Sequence, residues 1–151
     1  MDWMTGLQRA IDYVEAHLTD DIDYAAAAKE AVSSSFHFQR VFSIICGYTL
    51  GDYIRMRRLS LAADELMRTN EKVIDIALKY GYDTPESFSR AFTRFHGVTP
   101  TQARSGSAVR SFSRLSVKLI LDGGNLMNYR IEKRDEFKVI CKKKQVNKPQ
   151  G

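Results

Sequence analysis

The chain has 151 residues, of which 44% are hydrophobic and 27% are charged, and its formal net charge is +5. These proportions are typical of a soluble globular protein with a packed core, and they exclude a disordered chain and a collagen-like one. The sequence contains neither an apolar run of about 18 residues nor the basic and apolar pattern of a signal peptide, so we expect a cytoplasmic protein with no membrane contact.

The charges are unevenly distributed along the chain. Residues 1–31 carry 2 basic and 7 acidic side chains, residues 32–110 carry 11 and 7, and residues 111–151 carry 10 and 4. The net charge therefore changes from −5 to +4 and then to +6. A polyanionic partner is indicated for the later part of the chain, although charge alone does not separate DNA from RNA or from an acidic membrane surface.

Apolar spacing predicts helices from the beginning of the chain. The segment "DWMTGLQRAIDYVEAHL" has its apolar residues at helical intervals and is predicted to be a packing helix. Two further helices, in "DYAAAAKEAV" and "SSFHFQRVFSII", follow with a tight turn at Ala31 between them. The second of these has an inward stripe that includes Phe38 and Phe42, and its opposite face is polar except for Phe36, which is unusual there.

A long helix and a second pair of short helices come next. Thr49 and Asp52 form an acidic version of the capping box, which starts a helix of roughly 20 residues with a length of about 30 Å. In "KVIDIALKYGYDTPESFSRAF", Gly81 ends one helix and Asp83 or Thr84 caps the next. The segment "GVTPTQAR" then predicts a short closing helix, which makes seven helices in all.

The two helix pairs are copies of one pattern. With an offset of 50 positions the chain aligns with itself without a gap, and several aligned positions carry identical residues. The matched pairs are Ala27 and Ala77, Phe38 and Phe88, Arg40 and Arg90, Phe42 and Phe92, Gly47 and Gly97, and Thr49 and Thr99. Two helix-turn-helix units on a rod of about 30 Å suit two successive major grooves of DNA, which lie roughly 34 Å apart.

The segment "IDIALKYGYDTPESFSRAFTRFHGVTP" carries a resemblance to a known family. Its Ile-Ala helix, Gly-aromatic turn, Phe-x-Arg-x-Phe and Gly-x-x-Pro elements resemble the AraC-type transcriptional regulators, and the resemblance covers residues 5–104. It implies a mainly α fold: a seven-helix bundle of two helix-turn-helix subdomains joined by a long helix, with a short incomplete β segment at the C-terminus. It also implies that the third and sixth helices enter consecutive major grooves of double-stranded DNA, and we expect RNA polymerase as a second partner.

The resemblance maps base-contacting positions onto both recognition helices. These positions are Phe36, Gln39, Arg40, Glu86, Ser87 and Arg90. The chemistry of the first three agrees, because Gln pairs with adenine, Arg pairs with guanine, and an aromatic ring contacts a thymine methyl. Glu86 departs from the family pattern, since it accepts a hydrogen bond from cytosine but is repelled by phosphate. Ala103 is a second departure, because the family often has an aromatic residue there, as the first repeat has in Tyr53.

Phosphate contacts are predicted at five further positions, which are Ser34, Arg55, Arg57, Arg58 and Arg94. Two alternatives stay open for the arginines. The run of Arg55, Arg57 and Arg58 on the long helix also suits a solvated outer face of that helix. Arg40 or Arg90 also suits a salt bridge within its own subdomain, because arginine stems often pack while their charged ends pair.

No metal site, catalytic site or cofactor is predicted. His17, His37 and His96 lack the spacing of metal ligands, and Cys46 and Cys141 form no CxxC pair, so both cysteines are expected to be reduced thiols. The chain also lacks the G-x-S-x-G, HExxH, phosphate-binding-loop and dinucleotide-binding patterns. We therefore expect a protein that is not an enzyme.

The character of the chain changes after Arg104. We expect a DNA-binding domain over residues 1–106, a Ser- and Arg-rich linker over residues 107–125 that ends in a turn, and strands over residues 126–151. The last segment resembles the opening of a GyrI-like effector-binding domain, which implies a small-molecule effector only where the full domain exists. We expect the chain to be a truncated regulator, and the other explanation is a tail that completes a partner's sheet.

Sequence-specific regulation of transcription is the favoured function. Two alternatives stand beside it: a small-molecule sensor or sequestering protein that acts through the C-terminal segment, and a nonspecific nucleic-acid binder. The first alternative requires a formed pocket. The second requires binding that responds strongly to salt and little to substitution of Arg40.

Overall fold

The computed structural model describes the backbone of residues 3–122, 126–134 and 138–142, and the side chains of residues 3–117. These parts contain seven helices followed by three strands, which confirms the mainly α fold with a short β segment. The helices are α1 Trp3–Ala16, α2 Tyr24–Glu30, α3 Ser35–Cys46, α4 Leu50–Arg68, α5 Val73–Lys79, α6 Pro85–His96 and α7 Pro100–Arg104. The strands are β1 Ser116–Asp122, β2 Leu126–Arg134 and β3 Lys138–Lys142. No helix in these ranges has the length and apolar character needed to cross a membrane.

Two groups of buried side chains divide the helical part into two subdomains. The first group comes mainly from α1, α2, α3 and the beginning of α4, and it includes Leu7, Phe42 and Tyr53. The second group comes from the later turns of α4 and from α5, α6 and α7, and it includes Leu66 and Phe88. Burial of such apolar side chains is the main favourable term in folding, at about 1.5–3 kcal/mol for each large one.

The long helix α4 is the rod between the subdomains. It begins at a capping box in which Thr49 Oγ1 accepts a hydrogen bond from Asp52 N at 3.0 Å and Asp52 Oδ2 accepts one from Thr49 N at 3.4 Å. Tyr53 and Ile54 on its first turns pack into the first group, whereas Leu66 on a later turn packs into the second. With 19 residues the rod is about 28 Å long, and it carries one subdomain on each half.

The repeat in the sequence is a repeat in the structure. Helices α3 and α6 have 12 residues each and end at glycines in the left-handed region, Gly47 at φ 83° and Gly97 at φ 78°. A threonine two positions later, Thr49 or Thr99, caps the following helix with a capping box. Because a residue with a Cβ atom resists the left-handed region, the two glycines end both helices at equivalent positions.

The turns before α3 and α6 differ in a way that the alignment does not reveal. Both turns are closed by the same pair of backbone hydrogen bonds to the preceding helix. The left-handed residue is Gly81 at φ 89° in the second turn, but in the first it is Val32 at φ 53° rather than Ala31, the repeat partner of Gly81. Helix α2 therefore ends one position later than the repeat predicts, and the left-handed conformation of a β-branched residue strains the turn by about 1–2 kcal/mol.

The described strands form an antiparallel sheet in the order β1-β2-β3. Ser116 lies opposite Glu132 at one end of the β1–β2 ladder, and Arg130 lies opposite Lys142 at one end of the β2–β3 ladder. Strands β2 and β3 fall in the range 126–151 where strands are predicted. Three residues of the predicted turn, 123–125, lie outside the described residues.

Residues 107–125 are not the simple linker that the Ser- and Arg-rich composition predicts. Strand β1 occupies their later part, from Ser116 to Asp122. Before it, Phe112 and Leu115 are 3% and 0% exposed and belong to the first buried group. The reason is local: the apolar residues are spaced widely among serines and arginines, so a composition average conceals them. The chain after α7 is therefore packed onto the helical subdomains as far as β1.

Candidate nucleic-acid interface

The outward face of α3 brings together the three base contacts predicted for the first subdomain. Phe36, Gln39 and Arg40 line one shallow groove together with Ser43. Phe36 is 75% exposed and Arg40 is exposed, although both follow a helix whose opposite stripe is buried. Gln39 is half-buried, and its side-chain amide donates to Ser35 Oγ at 3.0 Å, so the amide is held against the helix.

The outward face of α6 carries the three predicted contacts of the second subdomain. Thr84 Oγ1 caps the helix by accepting from Ser87 N at 3.0 Å, and Pro85 occupies the first helical position. Glu86 and Arg90 are exposed. Ser87 is half-buried and its Oγ donates to Thr84 O at 3.1 Å, so this hydroxyl is part of the helix cap. The structure thus presents Glu86 and Arg90 to solvent and holds Ser87 in the cap beside them.

Two pairs of equivalent positions on the recognition helices have the same exposure. Phe36 and Glu86 are both exposed, and so are Arg40 and Arg90. Within residues 3–117, neither of these arginines forms an ion pair, so the alternative of a salt bridge within each subdomain is not observed there. Each recognition helix therefore offers one unpaired guanidinium at the same place, about one turn into the helix.

Three of the five predicted phosphate contacts lie on the surface. Ser34 is exposed and caps α3 by accepting from His37 N at 3.2 Å, and Arg94 is exposed on the last turn of α6. Arg55 pairs with Asp52 at 2.7 Å, with 52% and 38% of the two side chains exposed. Its guanidinium lowers the pKa of Asp52. An exposed pair of this kind is worth little in water, which leaves Arg55 available to a competing anion.

Arg57 is not on the surface, and its interpretation as a phosphate contact or as part of a solvated face is wrong. Its side chain is 11% exposed, and its Nε and Nη2 donate to the two carboxylate oxygens of Glu15 at 2.9 and 2.8 Å. Its Nη1 donates to Phe112 O at 2.6 Å. Burial disfavours the charged guanidinium, but the Glu15 carboxylate outweighs this effect and keeps the pKa of Arg57 above its ordinary value.

Arg58 is half-buried, and its guanidinium is also bound within the protein. Its Nε donates to Leu18 O at 2.8 Å and its Nη2 donates to Asp20 O at 2.8 Å, so the guanidinium binds the chain that follows α1. A Cβ atom added at Gly81 would lie 3.5 Å from its Nη1, which places the other side of the guanidinium beside the turn before α6. Arg58 is thus bound to the chain that follows α1 and lies beside the turn before α6. Its two hydrogen bonds were not predictable from the neighbouring residues, because the acceptors are 40 and 38 positions away.

Two exposed side chains on α3 extend the candidate surface beyond the predicted residues. Ile44 is 72% exposed, and it is the repeat partner of Arg94. His37 is exposed, and it is the repeat partner of Ser87. The offset of 50 could have identified Ile44, because its repeat partner Arg94 is exposed as well; it does not identify His37, because Ser87 is half-buried.

Metal binding has no support in the part of the chain that is described. No three His, Cys, Asp or Glu side chains approach one another there closely enough to hold a metal ion. Cys46 is buried in the first subdomain. His96 is 7% exposed, its Nδ1 accepts from Arg110 N at 3.1 Å, and its Nε2 therefore carries the proton that it donates to Leu59 O at 2.9 Å. Burial lowers the pKa of His96 below its ordinary value.

Comparison with known proteins gives the family of this arrangement. A family model described as "Helix-turn-helix domain" matches residues 27–106, which are more than half of the chain. The HTH-type transcriptional activator AarP of Providencia stuartii is 42% identical over 92 residues, covering 61% of this chain and 68% of AarP. The HTH-type transcriptional regulator YbfP of Bacillus subtilis is 34% identical over 105 residues, covering 70% of this chain but only 36% of YbfP.

A solved structure has the same fold. It is the transcriptional regulator of Chromobacterium violaceum described as one of the AraC-type DNA-binding domain-containing proteins, with a TM-score of 0.62 and 23% identity. The similarity covers 66% of this chain and 89% of that structure. The family match, the AarP relative and the two exposed recognition helices agree. This chain belongs to the AraC-type helix-turn-helix family of DNA-binding transcription regulators.

Proposed function

We propose that this protein regulates transcription by inserting α3 and α6 into two consecutive major grooves of one DNA duplex, without catalysing a reaction. The observation that carries the proposal is the repeated exposed guanidinium, Arg40 on α3 and Arg90 on α6, on two helices held by one rod. The rod is about 28 Å long, which is comparable with the spacing of about 34 Å between consecutive major grooves on one side of DNA.

The first recognition helix reads bases with three different kinds of contact. Arg40 donates two hydrogen bonds to guanine, Gln39 pairs with adenine after leaving Ser35, and the ring of Phe36 packs against a thymine methyl group. The exposure of Phe36 supports this role, because an aromatic ring that is 75% exposed gains nothing from the folded protein alone. Ile44 extends the apolar part of this surface toward the end of the helix.

The second recognition helix reads a different sequence. Arg90 takes the place of Arg40, but Glu86 stands where the first helix has Phe36. A carboxylate accepts from cytosine N4 and is repelled by phosphate, so Glu86 restricts the second element to few sequences and weakens its affinity. Ser87 contributes only if its hydroxyl leaves the cap that it forms with Thr84.

Phosphate contacts hold the two helices in register with the duplex. We assign them to Ser34, Arg55 and Arg94, whose side chains are exposed. The hydroxyl of Ser34 lies at the N-terminus of α3, where the helix dipole favours an anion. These contacts set affinity and salt dependence rather than sequence preference.

The wider role of the protein follows from its relatives. AarP is named a transcriptional activator, so we propose activation with RNA polymerase as the second protein partner, in the cytoplasm. We further propose that residues 1–106 are the DNA-binding domain and that strands β2 and β3, within residues 126–151, begin a GyrI-like domain that binds a small-molecule effector where it is complete.

The test is fluorescence anisotropy with duplexes selected for binding from a random pool, at two salt concentrations and with unrelated duplex as competitor. Arg40→Ala and Arg90→Ala are each expected to cost about 1–3 kcal/mol on the selected site and to relax base preference at one element only. Arg9→Ala is the matched control, because Arg9 is an exposed arginine on α1. Equal loss on every duplex in the two test variants would establish the nonspecific binder instead.

A further inference from the structure

The segment that follows α7 and ends at the first two residues of β1 lies across both subdomains. We call residues 109–117 the strap. Val109 at its beginning packs against the second buried group, while Phe112 and Leu115 are members of the first. Among the described hydrophobic side chains, Phe95 of α6 borders both groups, and so does Leu61 on the rod. The strap is therefore a connection between the two groups in addition to the rod.

The strap is fixed to the second subdomain through Arg110. Its backbone N–H donates to His96 Nδ1 at 3.1 Å, and its guanidinium lies 4.5 Å from the centre of the Phe95 ring. His96 in turn donates from Nε2 to Leu59 O on the rod at 2.9 Å. One imidazole ring thus links the strap, the end of α6 and the middle of α4.

The strap is fixed to the rod through the backbone of Phe112. Its N–H donates to Ser60 Oγ at 3.0 Å, and its carbonyl accepts from Arg57 Nη1 at 2.6 Å. Both bonds are largely shielded from water, since Ser60 is 8% exposed and the side chain of Arg57 is 11% exposed. The backbone N–H and C=O of Phe112 are therefore bound by Ser60 and Arg57, which lie about one turn apart on the rod.

The strap is fixed to the first subdomain at its end. Leu115 N donates to the hydroxyl of Tyr53 at 3.1 Å, and Val117 N donates to Gln8 Oε1 on α1 at 2.8 Å. Arg114 adds an exposed ion pair with Asp12 of α1. The strap is therefore attached in sequence to the second subdomain, to the rod and to the first subdomain.

We propose that the strap fixes the orientation of the two subdomains and thereby specifies the number of base pairs between the two DNA elements. Arg110, Phe112 and Ser60 act as positioning residues, because they contact no DNA in the proposed binding mode. The inference rests on the proposed two-groove binding. One added base pair moves the second element by about 3.4 Å and rotates it by about 34° around the DNA axis. If the strap fixes the orientation of α3 and α6, the two helices cannot shift to contact both elements at the new spacing.

The experiment measures how the full chain tolerates a change of spacing. A selected duplex with both elements is compared with duplexes in which one base pair is inserted or removed between them, and with a duplex that keeps the first element only. We expect the unsubstituted protein to lose about 10-fold or more in affinity for each spacing change. Ser60→Ala removes the acceptor of the Phe112 N–H, and Arg110→Ala removes the guanidinium contact with Phe95 while the backbone bond to His96 stays. Each variant should reduce that loss to about 3-fold or less and leave single-element binding unchanged.

Phe112 provides the stronger variant and its rescue. Phe112→Ala should abolish the spacing preference, and Phe112→Leu, which keeps an apolar side chain in the first buried group, should restore most of it. Leu66→Ala is the control for general loss of stability, because Leu66 is buried in the second group and takes no part in the hydrogen bonds that attach the strap. The variants are compared at a temperature where circular dichroism shows all of them folded.

Each outcome bears on one of the two proposals. A spacing penalty that stays at its original size in the Ser60, Arg110 and Phe112 variants would overturn the role of the strap. So would an equal relaxation in Leu66→Ala, since that would reflect stability alone. Absence of any spacing preference in the unsubstituted protein, with single-element binding intact, would instead overturn binding in two consecutive grooves.

Discussion

The substitution Arg57→Ala distinguishes two roles for Arg57, a buried ion pair with Glu15 and a contact with DNA phosphate. Arg57 gives Glu15 two hydrogen bonds, and the Tyr53 hydroxyl donates a third to the same carboxylate at 2.6 Å. Burial and the adjacent Glu15 carboxylate raise the pKa of Tyr53 far above its ordinary value, so this hydroxyl stays a donor at neutral pH. The variant therefore leaves a carboxylate that is 8% exposed with one donor from these two side chains.

Arg57→Ala is expected to cause a large loss in the free energy of unfolding. Removing one partner of a buried ion pair costs about 3–5 kcal/mol, because the remaining charge is left without compensation. With a denaturant slope of about 2 kcal/mol per molar urea, the midpoint of unfolding should fall by about 2 M. By contrast, Arg55→Ala breaks an exposed pair and should cost less than about 1 kcal/mol.

The assay combines urea unfolding with the salt dependence of DNA binding. Glu15→Met combined with Arg57→Met should recover much of the stability that Arg57→Ala loses, since no unpaired charge stays buried. At a temperature where the variant is folded, the slope of log affinity against log salt should match that of the original chain. An unchanged urea midpoint together with a salt slope reduced by about 1 would refute this reasoning and restore the phosphate contact.

Three other substitutions test local features by urea unfolding. Val32→Asn should raise stability by about 1 kcal/mol, because Asn tolerates φ 53° better than a β-branched residue, and a lower midpoint would contradict the strain. Thr84→Ala should lose about 1 kcal/mol through the cap of α6 and Thr84→Ser little, so equal losses would exclude capping as the cause. Burial lowers the pKa of His96 in the folded protein, so the neutral imidazole stabilises the fold fully above the unfolded pKa of about 6.5, and this stabilisation is lost as the pH falls below that value. His96→Gln should therefore weaken the pH dependence of the unfolding free energy between pH 7 and 5. An unchanged pH dependence would contradict this role of His96.

Features that repeat locally were predictable from the sequence. The buried stripes of α3 and α6, the threonine caps and the glycines at helix ends depend on residues within about four positions of one another, where periodicity and capping chemistry are decisive. The resemblance then identified which outward positions matter, and the exposure of Phe36, Arg40 and Arg90 agrees with that choice. Their contacts with DNA remain a prediction.

Features that depend on distant residues were not predictable. The partners of Arg57 and Arg58 lie 38 to 55 positions away, on α1, on the chain that follows it and on the strap. A charged residue on a helix is usually solvated, so the sequence alone favoured an exposed role for both. The conformation of Val32 was not predictable for another reason. A β-branched residue disfavours a positive φ, and the packing of α2 against α3 overrides that preference.

The two subdomains have the same helical fold but different outward side chains on their recognition helices, and this difference bears on the orientation of the protein on DNA. Arg40 and Arg90 are equivalent, yet Phe36 is matched with Glu86 and Ile44 with Arg94, so the outer face is more apolar on α3 and more charged on α6. Two such faces do not read the same bases, and the proposed DNA site is accordingly asymmetric. A single chain on an asymmetric site binds in one orientation, which would present the same side of the protein each time to RNA polymerase, the proposed partner. A symmetric dimer on a palindrome offers no such direction, so the divergence of the two repeats is itself suited to an activator that acts from one side.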